Sequence, residues 1–150
     1  GVITPKPNLI NVVPGEVHMT VDLRNIDNQK LKEAEFLLEE VIEYICLEEG
    51  VTAETNQLVR FEPVVFDKRI SDLIANVAYE QGLICTRLNS GAGHDAQMMA
   101  RICPTAMIFV PSKDGISHNP KEYTSKVHLD AGAEVLLSAV AQLDSGKTLS

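Results

Sequence analysis

The chain has 150 residues, which suits one ordinary domain or two small ones, and its content of 45% hydrophobic and 23% charged residues is typical of a globular protein. A formal net charge of −8, with 13 scattered Lys and Arg residues, argues against nucleic acid as a partner. No apolar run approaches the roughly 20 residues that cross a bilayer, and no signal-peptide pattern is visible, so we expect no membrane partner.

The first half of the chain predicts strand, strand, helix, strand. Residues 9–13 favour a strand that ends at the turn signal Pro14-Gly15. Apolar and polar residues alternate over 17–24, which predicts a strand with one buried face. Asp27 is a plausible N-cap for a helix that ends near Gly50. Its apolar stripe comprises Leu31, Ala34, Leu37, Leu38, Val41, Ile42 and Ile45.

An extended segment follows over 51–65, and together these elements predict a small α+β layer that covers one face of a sheet. The second half begins near Asp67, a candidate cap for a helix that stops near Gly82. A short strand at 84–88 then leads into the glycine-rich loop Ser90-Gly91-Ala92-Gly93-His94-Asp95, and 95–101 is predicted to be helical.

The last third of the chain predicts a strand, a loop and a helix. Residues 105–110 are continuously apolar, as in a strand buried on both faces, and a loop over 111–126 follows. Strands alternating with helices imply a mostly parallel sheet, so both histidine-containing loops would open into one crevice at the carboxyl ends of the strands. The final helix is predicted to face inward with Leu129, Leu136, Leu137, Val140 and Leu143.

His118 follows the buried strand in a loop of small and turn-forming residues, and neutral imidazole is a good ligand for zinc or manganese. Glu122 is a candidate to accept a hydrogen bond from that imidazole. The alternative is an exposed loop histidine without a function. A catalytic zinc needs about three protein ligands, and the four histidines form no H-x-x-E-H or similar cluster, so the chain lacks an obvious complete metal site.

Two other places are candidates for substrate binding. The glycine-rich loop lets backbone N–H groups approach a ligand before a helix, although a tight connection with Asp95 as its cap is the alternative. Arg24 ends the alternating strand on its polar face, where a guanidinium can clasp a carboxylate, although Asp22 can equally hold it in a structural ion pair. The cysteines (Cys46, Cys85 and Cys103) are few and far apart, which predicts reduced, buried thiols in a cytoplasmic protein.

Taken together, an ordered set of motifs resembles one family. The motifs are Asn11-Val12-Val13-Pro14-Gly15 with Val21-Asp22-Leu23-Arg24, then Ser90 to Ala96, then Met107 to Ser112 with Gly115 to His118 and Glu122-Tyr123. They resemble the two-metal amidohydrolases related to aminoacylase and carboxypeptidase, in the branch of allantoate amidohydrolase, N-carbamoyl-L-amino-acid hydrolase and β-ureidopropionase. This metallopeptidase-like resemblance covers nearly the whole chain.

The resemblance implies an α/β fold, with part of a parallel-sheet catalytic domain at 67–150 and part of a small α+β, ferredoxin-like lid and dimerisation domain at 1–66. It implies His118 as a ligand to one of two divalent ions, zinc or manganese. Asn11 and Arg24 would hold a small carboxylate-bearing substrate, and Gly91, Ala92, Gly93 and His94 would line its pocket.

The resemblance also implies that the other metal ligands and the general base, a Glu, belong to an N-terminal region that this sequence does not contain. We therefore expect a C-terminal fragment that is inactive alone and self-associates as a dimer or higher oligomer. A binding or dimerisation module that keeps the fold without catalysis is the rival hypothesis, and a nucleotide-binding α/β protein is a third, disfavoured because no phosphate loop of known spacing is present.

Overall fold

The computed structural model describes residues 1–146, and the chain divides into one unit of residues 1–63 and a second that begins at Val64. The first unit contains strands β1 (Ile3–Lys6) and β2 (Glu16–Met19) and helix α1 (Asn28–Glu49). The second contains helices α2 (Lys68–Glu80), α3 (Asp95–Met99) and α4 (Lys126–Asp144), with a 3₁₀ turn at Lys113–Gly115. No helix within residues 1–146 is long and apolar enough to cross a membrane.

Strands β1 and β2 form an antiparallel hairpin in which Ile3 faces Met19 and Lys6 faces Glu16. The amide of Gly15 donates to the Lys6 carbonyl at 2.9 Å and closes the connection between them. The predicted strand at 9–13 is therefore wrong, because those residues lie in this exposed connection without a ladder partner.

The alternating pattern over 17–24 becomes a strand only as far as Met19, since its partner β1 begins at Ile3. The apolar face that this pattern predicts to be buried is exposed, with Val17 at 52% and Met19 at 57%. Helix α1 of the same unit does not pack on the hairpin, so that face has no cover within residues 1–63.

Helix α1 confirms the sequence prediction at both ends. The Asp27 carboxylate accepts hydrogen bonds from the amides of Gln29 and Lys30, and Gly50 ends the helix in the left-handed conformation with φ 63°. Most of the apolar stripe is exposed or half-exposed, and Leu31 is the only fully buried residue that the structure describes on this helix.

The segment after α1 runs without strand pairing through residue 65, so the strand predicted there is wrong for lack of a neighbouring chain. A polar cluster ties it to the helix instead. The Arg60 guanidinium donates to Glu35 through Nε at 2.9 and 3.1 Å and to Asn28 Oδ1 through Nη2 at 2.9 Å. Asn28 also donates to Glu62 at 3.1 Å.

In the second unit, α2 packs against α4. Val77, Ala78 and Val135 form a small buried core, and Leu73, Ile74 and Ile108 pack against it. Asp67 caps α2 as predicted, accepting from the amides of Arg69 and Ile70 at 2.8 and 3.3 Å. Hydrogen bonds from the Arg69 side chain and these amides lower the pKa of Asp67 to about 2.

The strands predicted at 84–88 and 105–110 are not strands in the described chain, because no neighbouring segment offers a ladder. Residues 105–110 run as largely half-buried chain, with Ile108 against the core and the Thr105 carbonyl accepting from the Asp67 amide at 2.9 Å. The described fold is therefore helices with one two-stranded sheet, which corresponds to a partial α/β architecture.

Helix α4 begins at its cap Ser125, but it turns a different face inward from the predicted one. The buried positions are Val135 and Ala139, while Leu137 on the predicted inward face is 71% exposed. At Gly132, an added Cβ would lie 2.5 Å from Val110 Cγ1, so small residues allow the close approach here. The exposed leucine face comprises Leu129, Leu136, Leu137, Val140 and Leu143.

The cysteines also depart from prediction. All three are free thiols, but Cys85 and Cys103 are exposed and Cys46 is only partly buried. The segments that carry Cys85 and Cys103 lie at the surface of the unit instead of inside a sheet core, which explains the difference.

Candidate functional site

The loop that carries His118 closes on itself. The Lys113 amide donates to the Tyr123 carbonyl at 2.8 Å, and the Ser112 hydroxyl donates to the Ile116 carbonyl. Within the loop, Asp114 and Gly115 have φ values of 56° and 66°, which reverse the chain direction. The result is a compact exposed loop between the half-buried segment at 105–110 and α4.

His118 itself lies at φ 56°, a left-handed conformation that few non-glycine residues adopt. Its amide donates to Glu122 Oε2 at 2.8 Å, and its Nδ1 lies 2.6 Å from Ser117 Oγ. Glu122 therefore contacts the main chain of His118, whereas the sequence predicted a contact with the imidazole. Among the described residues, none forms a hydrogen bond with His118 Nε2.

This geometry fits a single metal ligand but not a complete metal site. The imidazole is exposed and has one nitrogen engaged, as is usual for histidines that bind metals through the other nitrogen. However, residues 1–146 contain no group of three or more His, Cys, Asp or Glu side chains arranged to hold an ion. The described chain can therefore contribute to a metal centre but cannot form one alone.

The glycine-rich loop leads into α3, whose N-cap is His94 and not Asp95. The amide of His94 donates to Gln97 Oε1 at 3.1 Å, and its Nε2 lies 2.7 Å from Ser90 Oγ. The half-buried imidazole packs edge-on against Phe109, with 5.6 Å between the ring centroids. The loop thus contacts the segment that leads into the His118 loop.

The glycines of this loop are not required by its own folding. Neither Gly91 nor Gly93 lies in the left-handed region. A Cβ added at Gly91 would meet nothing within 4 Å, and one at Gly93 would meet only Gln97 Oε1 at an ordinary 3.7 Å. Since the local fold does not require glycine here, the close approach of another molecule to this backbone would explain these two residues.

In the first unit, Arg24 is held by Asp22. The guanidinium donates through Nε to Oδ1 at 2.9 Å and through Nη2 to Oδ2 at 2.7 Å. These hydrogen bonds lower the pKa of Asp22 and raise that of Arg24. Asn11 is exposed in the connection between β1 and β2.

Sequence reasoning missed both serine contacts with histidine rings. Ser117 immediately precedes its histidine and Ser90 lies four residues before its partner, so the two pairs share no common spacing. The sequence does show a serine close to each histidine. Which ring nitrogen the serine hydroxyl contacts depends on the backbone conformation, which the sequence does not show. The Arg60 cluster was missed for a similar reason, since its members lie up to 34 residues apart in sequence.

Known proteins of similar sequence extend over nearly the whole chain. Allantoate amidohydrolase of Bacillus subtilis (strain 168) is 41% identical over 143 residues, which are 95% of this chain and 35% of that protein. N-carbamoyl-L-amino-acid amidohydrolase of Rhizobium meliloti is 39% identical over 136 residues, 91% of this chain and 33% of that protein. The chain thus spans about a third of the length of these relatives. The names of the relatives confirm the branch of the family that the sequence motifs resemble.

Solved structures are also similar to nearly the whole chain. The crystal structure of an amidase of the hydantoinase/carbamoylase family from Burkholderia multivorans matches with a TM-score of 0.86 and 37% identity, over 93% of this chain and 34% of that one. The model of Peptidase family M20/M25/M40 matches residues 2–142. The chain therefore belongs to Peptidase family M20/M25/M40.

Proposed function

We propose that this chain is part of a metal-dependent hydrolase that cleaves the ureido or amide C–N bonds of N-carbamoyl amino acids or allantoate. The observation that carries the proposal is the match of nearly the whole of this chain to about a third of relatives named for those substrates. Both substrates combine a carbonyl flanked by nitrogen with a carboxylate. A binding site for them has two requirements. The first is a positively charged side chain that binds the carboxylate, and the second is a group that polarises the carbonyl.

Arg24 and Asn11 supply the first requirement in this proposal. The contact with Asp22, in which Nε and Nη2 of Arg24 donate to the two carboxylate oxygens, fixes the plane of the guanidinium. An oriented guanidinium loses less entropy when it binds a substrate carboxylate. Asn11 adds an amide that donates to the same substrate.

His118 supplies part of the second requirement, as one ligand to one of two ions, zinc or manganese. When bound, such ions polarise the carbonyl and activate a water molecule for attack on the ureido carbon. Gly91, Ala92, Gly93 and His94 line the substrate pocket, where the bare backbone of the glycines lets the substrate lie close. Glu122 keeps the His118 loop in place.

The 150-residue chain is expected to be inactive alone. Its described residues form no group of three or more His, Cys, Asp or Glu side chains that could hold an ion. The general base, a Glu, is assigned to the region that aligns with the other two thirds of the relatives. Turnover of allantoate or an N-carbamoyl-L-amino acid by the purified chain with added Zn²⁺ or Mn²⁺ would overturn this part of the proposal.

We assign residues 1–66 to part of a ferredoxin-like lid and dimerisation domain, and residues 67–150 to the C-terminal part of a parallel-sheet catalytic domain. The exposed apolar face of the β1–β2 hairpin supports self-association as a homodimer or larger assembly. Free and exposed thiols suit a reducing compartment such as the cytoplasm. Light scattering coupled to gel filtration tests the assembly, and a monomer at all concentrations contradicts it.

A chimera tests the function directly. The chain replaces the aligned segment of the Bacillus subtilis allantoate amidohydrolase, and ammonia release is measured from allantoate and from an N-carbamoyl-L-amino acid. We expect turnover of at least one substrate. We expect His118→Ala to lower it on the order of 10³-fold, since an ion contributes several kcal/mol of transition-state stabilisation.

The matched control is His128→Ala, which removes an exposed histidine from α4. It should leave turnover unchanged. A chimera that folds, as judged by circular dichroism, but hydrolyses neither substrate would contradict the proposed function. Equal activity in His118→Ala and the parent chimera would contradict only the role of His118.

A further inference from the structure

His118 is fixed at two separate points. Its main-chain amide donates to the Glu122 carboxylate at 2.8 Å, and its ring nitrogen Nδ1 lies 2.6 Å from the Ser117 hydroxyl. The first contact fixes the backbone and the second fixes the ring. The amide contact lies within the ordinary range for hydrogen bonds between nitrogen and oxygen, and the ring contact is slightly shorter than that range.

The backbone contact opposes a conformational cost. A non-glycine residue with φ near 56° is strained by its Cβ, and such residues persist where surrounding contacts stabilise them. The Glu122 carboxylate is a charged acceptor, and hydrogen bonds to charged acceptors are stronger than those between neutral groups. Glu122 therefore stabilises the backbone conformation that directs the imidazole.

The ring contact determines which nitrogen is available. When Ser117 Oγ accepts a hydrogen bond from Nδ1–H, the proton of the neutral ring resides on Nδ1 and the lone pair on Nε2. Histidines that bind metals usually donate their other ring N–H to such an acceptor. In free histidine the proton prefers Nε2, so the serine would have to reverse that preference.

We infer that Ser117 and Glu122 are positioning residues that present Nε2 of His118, with its lone pair, to a divalent cation. Ser117 selects the tautomer and Glu122 holds the left-handed backbone. The inference rests on the proposed function in one respect, which is that the cation bound by Nε2 is the metal ion used in hydrolysis. The tautomer that we infer for His118 can be measured in the chain without metal.

The chain contains its own control in the glycine-rich loop. Ser90 Oγ lies 2.7 Å from Nε2 of His94, the opposite nitrogen from the one that Ser117 engages on His118. Removing either hydroxyl should therefore change a different ring and leave the other unchanged. A general effect of the substitution on folding would change both.

The test is nitrogen-15 NMR of the histidine side chains in the whole 150-residue chain without metal, at a pH where the rings are neutral. We expect His118 of the wild type to carry its proton mainly on Nδ1. Ser117→Ala should shift the proton mainly to Nε2, while Ser117→Thr, which keeps a hydroxyl, should retain the wild-type tautomer. Ser90→Ala should leave His118 unchanged.

Two further readouts connect the tautomer to Glu122 and to the cation. Glu122→Ala should speed hydrogen exchange of the His118 amide by about tenfold, the factor expected from losing one hydrogen bond. Titration with Zn²⁺ alone should shift Nε2 of His118. Ser117→Ala should weaken that response by about tenfold, as substitutions behind metal ligands do.

A proton on Nε2 of His118 in the wild type, or the same tautomer in Ser117→Ala, would overturn the role of Ser117. An unchanged exchange rate in Glu122→Ala would overturn that of Glu122. A Zn²⁺ response through Nδ1, or none from His118 in the wild type, would overturn the presentation of Nε2. None of these results depends on hydrolysis, so failure of the chimera to turn over substrate is a separate outcome.

Discussion

Residues 1–63 and the unit that begins at Val64 are stabilised by different kinds of contact. In the first, the segment after α1 is tied to the helix by Arg60, Glu35 and Asn28, and Leu31 is the only fully buried hydrophobic residue described. In the second, α2 and α4 enclose a core in which Val77 is 2% exposed. Polar contacts that remain partly open to solvent contribute little each, whereas buried apolar groups contribute more. We therefore expect the first unit to open at a lower free energy than the second.

The largest test of this difference is Val77→Ala. Removing two methyl groups from the best-buried position should lower the free energy of unfolding of the second unit by about 2 kcal/mol. Native-state hydrogen exchange of the α2 and α4 amides measures the change. The matched control, Val41→Ala on the exposed side of α1, should change stability by less than about 0.5 kcal/mol. Equal effects would remove the distinction between the units.

Gly132→Ala tests the close approach of α4 to the segment at residues 105–110. The new Cβ would lie 2.5 Å from Val110 Cγ1, so the valine or the helix must shift. We expect a loss of about 1–2 kcal/mol, as for other overpacked sites, despite the better helix propensity of alanine. Gly15→Ala is the control, because an added Cβ there meets nothing within 4 Å. A Gly132→Ala chain as stable as the wild type would show that this packing can relax freely.

Arg60→Ala tests whether polar contacts hold the first unit. The substitution removes the hydrogen bonds to Glu35 and Asn28, and we expect a loss of about 1 kcal/mol, seen as faster exchange in the first turns of α1. Lys32→Ala, on the exposed surface of the same helix, is the control. If Arg60→Ala has no more effect than Lys32→Ala, the cluster does not stabilise the unit.

The smallest effect concerns acid pH at the start of α2. The pKa of Asp67 is about 2 in the folded chain against an ordinary value of 3.8, so its contribution to stability is fully present above that ordinary value and is lost as the pH falls toward 2. Asp67→Asn keeps a capping side chain but cannot titrate. In the variant, hydrogen exchange of the α2 amides should no longer show the loss of stability that the protonation of Asp67 causes at acid pH. An unchanged acid titration would contradict the assignment.

The helix boundaries were predictable because their determinants are local. Asp27, Asp67 and Gly50 act on amides or carbonyls within a few residues, so a single sequence contains the information. Strands require a neighbouring chain, and the apolar runs at 84–88 and 105–110 do not say whether a neighbour is present. Apolar residues on α4 occupy more than one face, so periodicity alone could not show that Val135 and Ala139 would be buried. The close contact of Gly132 with Val110 depends on tertiary packing, which the helical pattern does not report.

The candidate site was predictable to the level of residue types. His118 and the glycine-rich loop stood out by their position after apolar segments, and the family that their motifs resemble is confirmed. The contact of Glu122 with the His118 amide could not be read from spacing. It depends on the left-handed backbone at His118, and that conformation arises from the closure of the whole loop.

The exposed leucine face of α4 is one of the apolar surfaces that can bring copies of the protein together. Leu136 and Leu137 present apolar surface to water, and contact between copies would remove it. At neutral pH the net charge of −8 opposes such contact by mutual repulsion. Acidification toward zero net charge, or concentrated salt, weakens that repulsion while the leucines remain attractive. Preparations are therefore best kept dilute, at neutral to alkaline pH and modest ionic strength.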